Sequence, residues 1–482
     1  MNESTKPVLR IVPISLGLGL GGDLLLRAPV QGVNLTLWLV ALTLVLLVGI
    51  PRPTGPERPA AHPWLWAFGG FALLFSWRSA DALRGLNVLT GFVLLAWAVA
   101  RSRGITLRLG GVTDHFRRLA GWGVEVILGT FPMLLACLPQ PGETATSRWR
   151  QWGRALVGVL LALPLLLVFG RLLTSADVAF EGWIRQLVQV DFPKVVSHVI
   201  LTGFFGWIAC GVLGSMLPEP AGRRRAFSVP RFVRLGPIET GVALGLVDLL
   251  FLAFVVFQVR YLFGGPELVE TTVGLTYAEY ARRGFFELVA VVALAVPVLL
   301  AADWLLAEGD RRWYRGLAGL MIGLLGVMLV SAAWRMRLYQ QAYGWTELRF
   351  HVNAFMIWLA MVLAWFAATV LTGRRERFTF GAIAGAMVLV LSLNLVNPQA
   401  RVAEQNLARA VAGEPLDVEY LGQLGPDAIP TMIRFLPMIP RAESASLRAM
   451  LDERSARSSD DWRGWTWARH AAENALRAME SR

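Results

Sequence analysis

The run "FTFGAIAGAMVLVLSLNLV" (residues 378–396) decides what kind of protein this is. Nineteen residues pass without a charge, close to the roughly 20 that an α-helix needs to cross the hydrocarbon layer of a bilayer. The runs 35–50 (LTLWLVALTLVLLVGI) and 155–169 (ALVGVLLALPLLLVF) repeat the pattern. Of 482 residues, 55% are hydrophobic and 17% charged, with a mean hydropathy of +0.52, whereas soluble domains carry roughly a quarter charged residues. A soluble core cannot absorb so many long apolar runs. The composition predicts an all-α polytopic helical membrane protein whose first partner is the lipid bilayer.

Eleven transmembrane helices are expected, at about 9–27, 34–51, 63–78, 86–101, 154–173, 196–217, 239–263, 284–306, 314–333, 351–372 and 378–396. The first is not a cleavable signal, because Gly17, Gly19, Gly21, Gly22 and Asp23 interrupt it and no small-residue cleavage site follows. It reads as a glycine-rich helix packed closely on a neighbour. Basic loops set the orientation: Arg223, Arg224 and Arg225, then Arg311, Arg312 and Arg315, then Arg374, Arg375 and Arg377 must share one side, taken as cytoplasmic. Residues 105–137 are only moderately apolar, with Arg117, Arg118 and Glu125, and both flanks must be cytoplasmic; an interfacial or re-entrant helix pair fits. The division is then 1–104, a four-helix membrane region; 105–153, the interfacial segment; 154–396, a seven-helix core; and 397–482, a small C-terminal helical domain. The N-terminus is expected in the cytoplasm and the C-terminal domain outside it.

The tail supports that placement, since 397–482 carries 11 basic and 12 acidic residues and leaves 35 basic and 22 acidic to the rest. Asn397-Pro398 opens a helix that Gly413 closes. Trp462, Trp465 and Trp467 are expected to pack the tail helices together rather than to dock them on the membrane. The net charge of +12 does not point to nucleic acid, because the arginines sit in short loops between spans. Cys137 and Cys210 give no disulfide framework, and five scattered histidines give no metal site; no cofactor is called for.

Polar clusters that topology alone does not explain fall on the extracytoplasmic side. "LTYAEYARRGFFELV" (275–289) lies between spans seven and eight. Thr276 and Glu279 form a capping box, and Glu279, Arg283 and Glu287 one charged helical stripe, which accounts for about half of its polarity. Glu287 already enters the hydrocarbon, where an unpaired carboxylate is costly, so Arg283 is its expected partner. Tyr277, Tyr280 and Arg282 complete that cluster. The second cluster is Arg337, Tyr339, Tyr343, Glu347 and Arg349, in a hairpin where Gly344 stops one helix and Thr346 caps the next. There Arg335 and Arg337 are read as snorkelling to the membrane edge. Asp177 stands in the loop 171–194. Guanidinium forks suit an anionic ligand, and Glu279 or Asp177 could serve as a base. Asp248 is different: it sits about 15 Å into its span, the position of an intramembrane acid.

Several of these stretches carry a resemblance. "ETGVALGLVDLLFLAFVVFQVRYLFGG" (239–265), "LTYAEYARRGFFELV", "RLYQQAYGWTELRF" (337–350), "LLTSADVAF" (172–180) and "NPQARVAEQNLARA…LDVEYLGQLGPDAIP" (397–430) resemble the bacterial integral-membrane family catalogued as domain of unknown function 4153/4173. The resemblance spans about 155–430 and implies a multi-pass protein of the bacterial inner membrane, without an activity. Three functions fit: an outer site for an anionic envelope or lipid-linked ligand, with or without catalysis; a transporter or flippase using Asp248; or a sensor or scaffold whose C-terminal helices bind an extracytoplasmic protein. No P-loop or GxSxG motif occurs.

Overall fold

The computed structural model describes residues 5–27, 32–49, 61–108, 111–128, 130, 192–216, 237–263, 285–306, 311–455 and 461–481, and among them no strand forms. The expected span 154–173 lies outside these residues. The first group of helices is α1 (Thr5–Leu26), α2 (Val33–Gly49), α3 (His62–Trp77), α4 (Asp81–Ser102), α5 (Val112–Leu128) and α6 (Phe192–Ser215). Next come α7 (Pro237–Phe263), α8 (Phe285–Leu305), α9 (Arg312–Tyr343), α10 (Glu347–Thr369) and α11 (Phe378–Val396). The C-terminal domain contains α12 (Pro398–Val411), α13 (Val418–Gln423), α14 (Ile429–Phe435), α15 (Arg441–Ser455) and α16 (Trp467–Glu480).

Among the described residues, six helical stretches are long and apolar enough to cross a membrane: Asp81–Ser102, Lys194–Ser215, Leu288–Leu305, Arg312–Tyr343, Glu347–Thr369 and Arg375–Val396. Ile11–Leu26, Val33–Gly49 and Thr240–Val256 are apolar but shorter. Two cores divide this bundle. Leu18, Leu42, Leu65, Leu95 and Ala209 gather α1–α4 and α6 around one; Leu244, Leu299, Met321 and Phe366 gather α7–α10 around the other.

Within the first core α1 and α6 run antiparallel at very close range. A side chain at Gly19 would come within 2.4 Å of the Thr202 carbonyl, so glycine is what lets the backbones meet. The tight packing expected of the glycine-rich first helix is present. α5 also runs antiparallel to α6: Trp122 Nε1 donates to Ser215 Oγ at 3.0 Å, and Thr130 Oγ1 to the Trp207 carbonyl at 3.2 Å. Eight residues of α6 separate those contacts, so α5 follows it for about 12 Å, with Val124, Ile127 and Leu128 turned outward. Arg103 closes the loop end of the pair, on Glu125 and the Ser215 carbonyl.

α11 joins the halves by lying antiparallel to α4. Asn87 and Asn394, both essentially unexposed, donate to each other at 3.1 and 2.9 Å, which satisfies two amides that an apolar seam would otherwise strand. Further along, Trp97 stacks on Phe380 with ring centroids 5.0 Å apart. α9 is the longest element: its 32 residues extend about 48 Å, well past the roughly 30 Å of a hydrocarbon layer. One end of α9 therefore stands clear of the apolar bundle and meets the C-terminal domain.

Candidate functional site

The C-terminal domain has its own core, with Val402, Leu407, Leu421, Met432, Leu447 and Leu476 buried. Asn397 opens it in the left-handed conformation (φ 57°) and accepts from the Ala400 amide, with Pro398 at the first helical position; Gly413 follows the helix at φ 91°. Trp462, Trp465 and Trp467 do not pack the helices together as expected, since they are 60%, 41% and 58% exposed. The chain there is drawn to the bundle instead: the Val33 amide donates to the Trp465 carbonyl at 2.9 Å, and Arg463 to the Leu24 carbonyl at 3.2 Å. Holding backbone 461–467 against α1 and α2 leaves these indoles on the outside of the seam.

Among the described residues, three connections at one end of the bundle carry the domain: α1–α2, α3–α4 and α9–α10. At the third, Asn406 grips Trp345 from both sides, accepting from its amide at 2.7 Å and donating to its carbonyl at 2.8 Å. The Glu347 amide donates to the Tyr420 hydroxyl at 2.7 Å, and Gln399 Nε2 reaches both Glu347 oxygens at 3.3 Å. Burial pushes the Tyr420 phenol up from its ordinary value. At the second connection Asp427, with a fully buried side chain, accepts from the Arg78 guanidinium at 3.2 Å and from the Ser79 amide at 2.7 Å. Ser79 Oγ and Thr466 Oγ1 share a hydrogen bond of 2.7 Å beside it. Arg78 also donates to the Asn394 carbonyl at 2.8 Å, so one guanidinium ties α3, α11 and the domain.

Of the second predicted cluster, Arg349, Tyr339 and Tyr343 meet one another. Arg349 lies over the Tyr339 ring at 4.0 Å and donates to the Tyr343 and Gly344 carbonyls, at 3.2 and 2.6 Å, closing the last turn of α9. Tyr339 and Tyr343 meet edge to face at 5.1 Å. Thr346 caps α10 as expected, and Gly344 breaks α9 at φ 73°. Arg337 is exposed and has no ion pair among the described residues. Arg335 is buried rather than snorkelling. Tyr277, Glu279, Tyr280, Arg282, Arg283 and Asp177 lie outside the described residues, as does the side chain of Glu287.

Arg84, Arg469 and Asp23, which are not part of the predicted clusters, lie at the same end. Arg84, in the first turn of α4, is 17% exposed and spends one nitrogen on Asp81 at 3.3 Å. Its Nε and Nη2 atoms are buried without a partner among the described residues. Arg469 of α16 is close by; burial, then repulsion from Arg84, lowers its affinity for a proton from the ordinary arginine value. Asp23 of α1 is buried and paired, with Arg27 at 2.6 Å and His198 Nδ1 at 2.5 Å, while Arg27 also donates to Ser197 Oγ at 2.7 Å. Asp248 is buried in α7, and neither carboxylate oxygen has a partner among the described residues. Metal-ligating groups of three or more acidic, histidine or cysteine side chains are absent among the described residues.

A family model, domain of unknown function DUF4153, matches residues 65–435. The chain belongs to the DUF4153 family. No curated protein and no solved structure matches it. The DUF4153 region contains both sides of the principal contact, from Arg78 and Ser79 to Gln399, Asn406, Tyr420 and Asp427. The sequence signal for these residues is the run 397–430: Gln399, Asn406, Tyr420 and Asp427 are polar positions of helices that otherwise turn apolar residues inward. Their partners in 78–79 and 345–347 are remote in sequence, and no local pattern links them.

Burial pushes the Asp427 carboxyl above the usual aspartate range, with the Ser79 amide and Arg78 pulling it down. The docked domain therefore holds this proton to a higher pH than a released one. Its contribution to docking is full below the ordinary aspartate range and is lost as pH rises through the raised value. Limited proteolysis of the purified full chain between pH 4 and 8 should show cleavage of the tail accelerating with pH, and Asp427→Asn should flatten that dependence. Asp427→Ala, which leaves Arg78 only its carbonyl acceptors and the Ser79 amide without its acceptor, should speed cleavage of the tail most at the acidic end of that range. A wild-type rate that does not change with pH would count against the carboxyl's role.

Proposed function

We propose that this DUF4153 protein crosses the bacterial inner membrane eleven times, with its N-terminus in the cytoplasm and its C-terminal domain fixed on the extracytoplasmic face. There it engages an anionic envelope or lipid-linked ligand at the seam between bundle and domain. The loops of 275–289 and 171–194 complete the outer face in this reading, with Tyr277, Glu279, Tyr280, Arg282, Arg283 and Glu287 on one and Asp177 on the other. Glu279 or Asp177 is the base if the site is catalytic. Arg337, Tyr343 and the Arg349–Tyr339 pair form its rim, with Glu347 bracing it.

The observation that carries the anionic ligand is Arg84. A guanidinium with two buried, unpartnered nitrogens beside a second arginine is costly in an empty seam. It is repaid when an anion accepts those N–H groups, and the planar fork of arginine matches phosphate or carboxylate. The α3–α4 connection supplies Arg84 at the outer end of a spanning helix, a depth suited to a ligand with a lipid tail. Farnesyl phosphate joins those two features in one soluble probe. It should raise the thermal unfolding midpoint of the wild-type chain in detergent, and Arg84→Gln should weaken its binding roughly tenfold or more. Equal binding by Arg84→Gln would remove the support for this reading.

Asp248 supports a second reading, transport with a protonatable acid in the pathway. A carboxyl kept in apolar surroundings without a partner lowers stability, so its retention fits a working group. Asp248→Leu should then raise the unfolding midpoint. A lowered midpoint would mean that the carboxyl makes a structural hydrogen bond, and the transport reading would lose its basis.

A further inference from the structure

At the far end of α9 from the C-terminal domain, the ends of α8, α9 and α10 enclose a cleft of about 220 Å³. Arg311, Arg315 and Arg375 converge on it with Asp303 and Tyr314. Arginine in a loop between spans is what topology requires, and it accounts for their presence. It does not account for their convergence. Asp303, nearly buried, accepts from Arg311 at 2.8 Å on one oxygen and from Arg375 at 3.3 Å on the other. One carboxylate thus draws together two guanidiniums that would repel, while the third, on Arg315, has no ion pair or hydrogen bond among the described residues. Among the described residues, three positive charges and one negative leave the cleft with an excess of two.

Capping of α10 does not explain the arginines either. The Thr369 and Val370 carbonyls at its end already accept from the Arg374 and Gly373 amides, at 2.7 and 3.1 Å. Gly373 adopts φ +83°, and a side chain there would come within 3.2 Å of Arg315 Nη2. The turn is thus both left-handed and bare where Arg315 crosses it. Tyr314 fixes the wall, donating to the Leu299 carbonyl at 2.9 Å.

We propose that this cleft holds the phosphate group of an anionic lipid headgroup. Its volume is below the roughly 300–1,000 Å³ of pockets for drug-sized molecules, which suits a headgroup and not a nucleotide. Its depth matches too: it opens where the apolar part of α9 begins, beside Trp313, 77% exposed, an aromatic at the level where indoles meet lipid headgroups. Basic clefts between spanning helices recognise phosphate headgroups through the same fork geometry. The site lies about 48 Å along α9 from the seam that holds Arg84, and does not depend on it.

Native mass spectrometry of the purified full chain tests the assignment with short-chain phosphatidylglycerol, short-chain phosphatidylcholine and inorganic phosphate. Phosphatidylglycerol should be retained, and Arg315→Gln, which leaves the Asp303 pairs intact, should lower retention about tenfold with an unchanged unliganded unfolding midpoint. Should Arg315→Gln fail to fold, Arg315→Lys serves, keeping the charge without the fork and retaining an intermediate amount. Arg84→Gln should leave the Arg315-dependent share of that retention unchanged, which separates this site from the seam. Equal retention of phosphatidylcholine, or wild-type retention by Arg315→Gln, would overturn the proposal. Inorganic phosphate displacing phosphatidylglycerol at equal concentration would overturn the lipid assignment in favour of free phosphate.

Discussion

Asp427 offers one carboxylate oxygen to the Arg78 guanidinium and the other to the Ser79 amide, and its side chain is closed off from solvent. Because Arg78 also reaches the Asn394 carbonyl, this contact joins the α3–α4 connection, the end of α11 and the domain that follows it. Removing one partner would leave a buried charge, a far larger effect than losing any of the neutral bonds around it. The amide clamp of Asn406 on Trp345 and the Trp465–Val33 backbone bond extend the same interface outward. They set the angle of a domain whose attachment centres on this buried carboxyl.

α9 turns that attachment into an architecture. Its apolar middle packs in the second core, while its two ends carry unlike polar groups. One end holds the tyrosine–arginine turn under the C-terminal domain, where charges are paired or capped. The other holds three arginines around one aspartate. At the domain end Arg84 and Arg469 are held close, with Asp81 as the ion partner of Arg84.

How much of this could be read from the sequence depends on whether the signal was local. Helices such as 378–396 and 351–369 announce themselves by length and lack of charge, and the Gly344–Thr346 break and the Asn397-Pro398 start follow from turn and cap chemistry. Cooperation between distant segments was not legible. Nothing local shows that Arg349 closes its own helix turn or that Glu347 meets Gln399, 52 residues on. The indoles at 462–467 looked like core, because nothing local says that backbone, not side chain, makes the contact there. His198, which joins Arg27 on Asp23, could not be read from that helix either, since it comes from a distant span.

The orientation of the seam is the claim on which the proposed function rests. In a chain with Cys137 and Cys210 replaced, single cysteines at Ser446, exposed on α15, and at Thr372, exposed beyond α10, report on opposite ends of the bundle. A membrane-impermeant maleimide applied to intact cells should label Ser446→Cys and reach Thr372→Cys only after permeabilisation. Labelling of Thr372→Cys with protection of Ser446→Cys would place the domain in the cytoplasm and contradict an extracytoplasmic ligand.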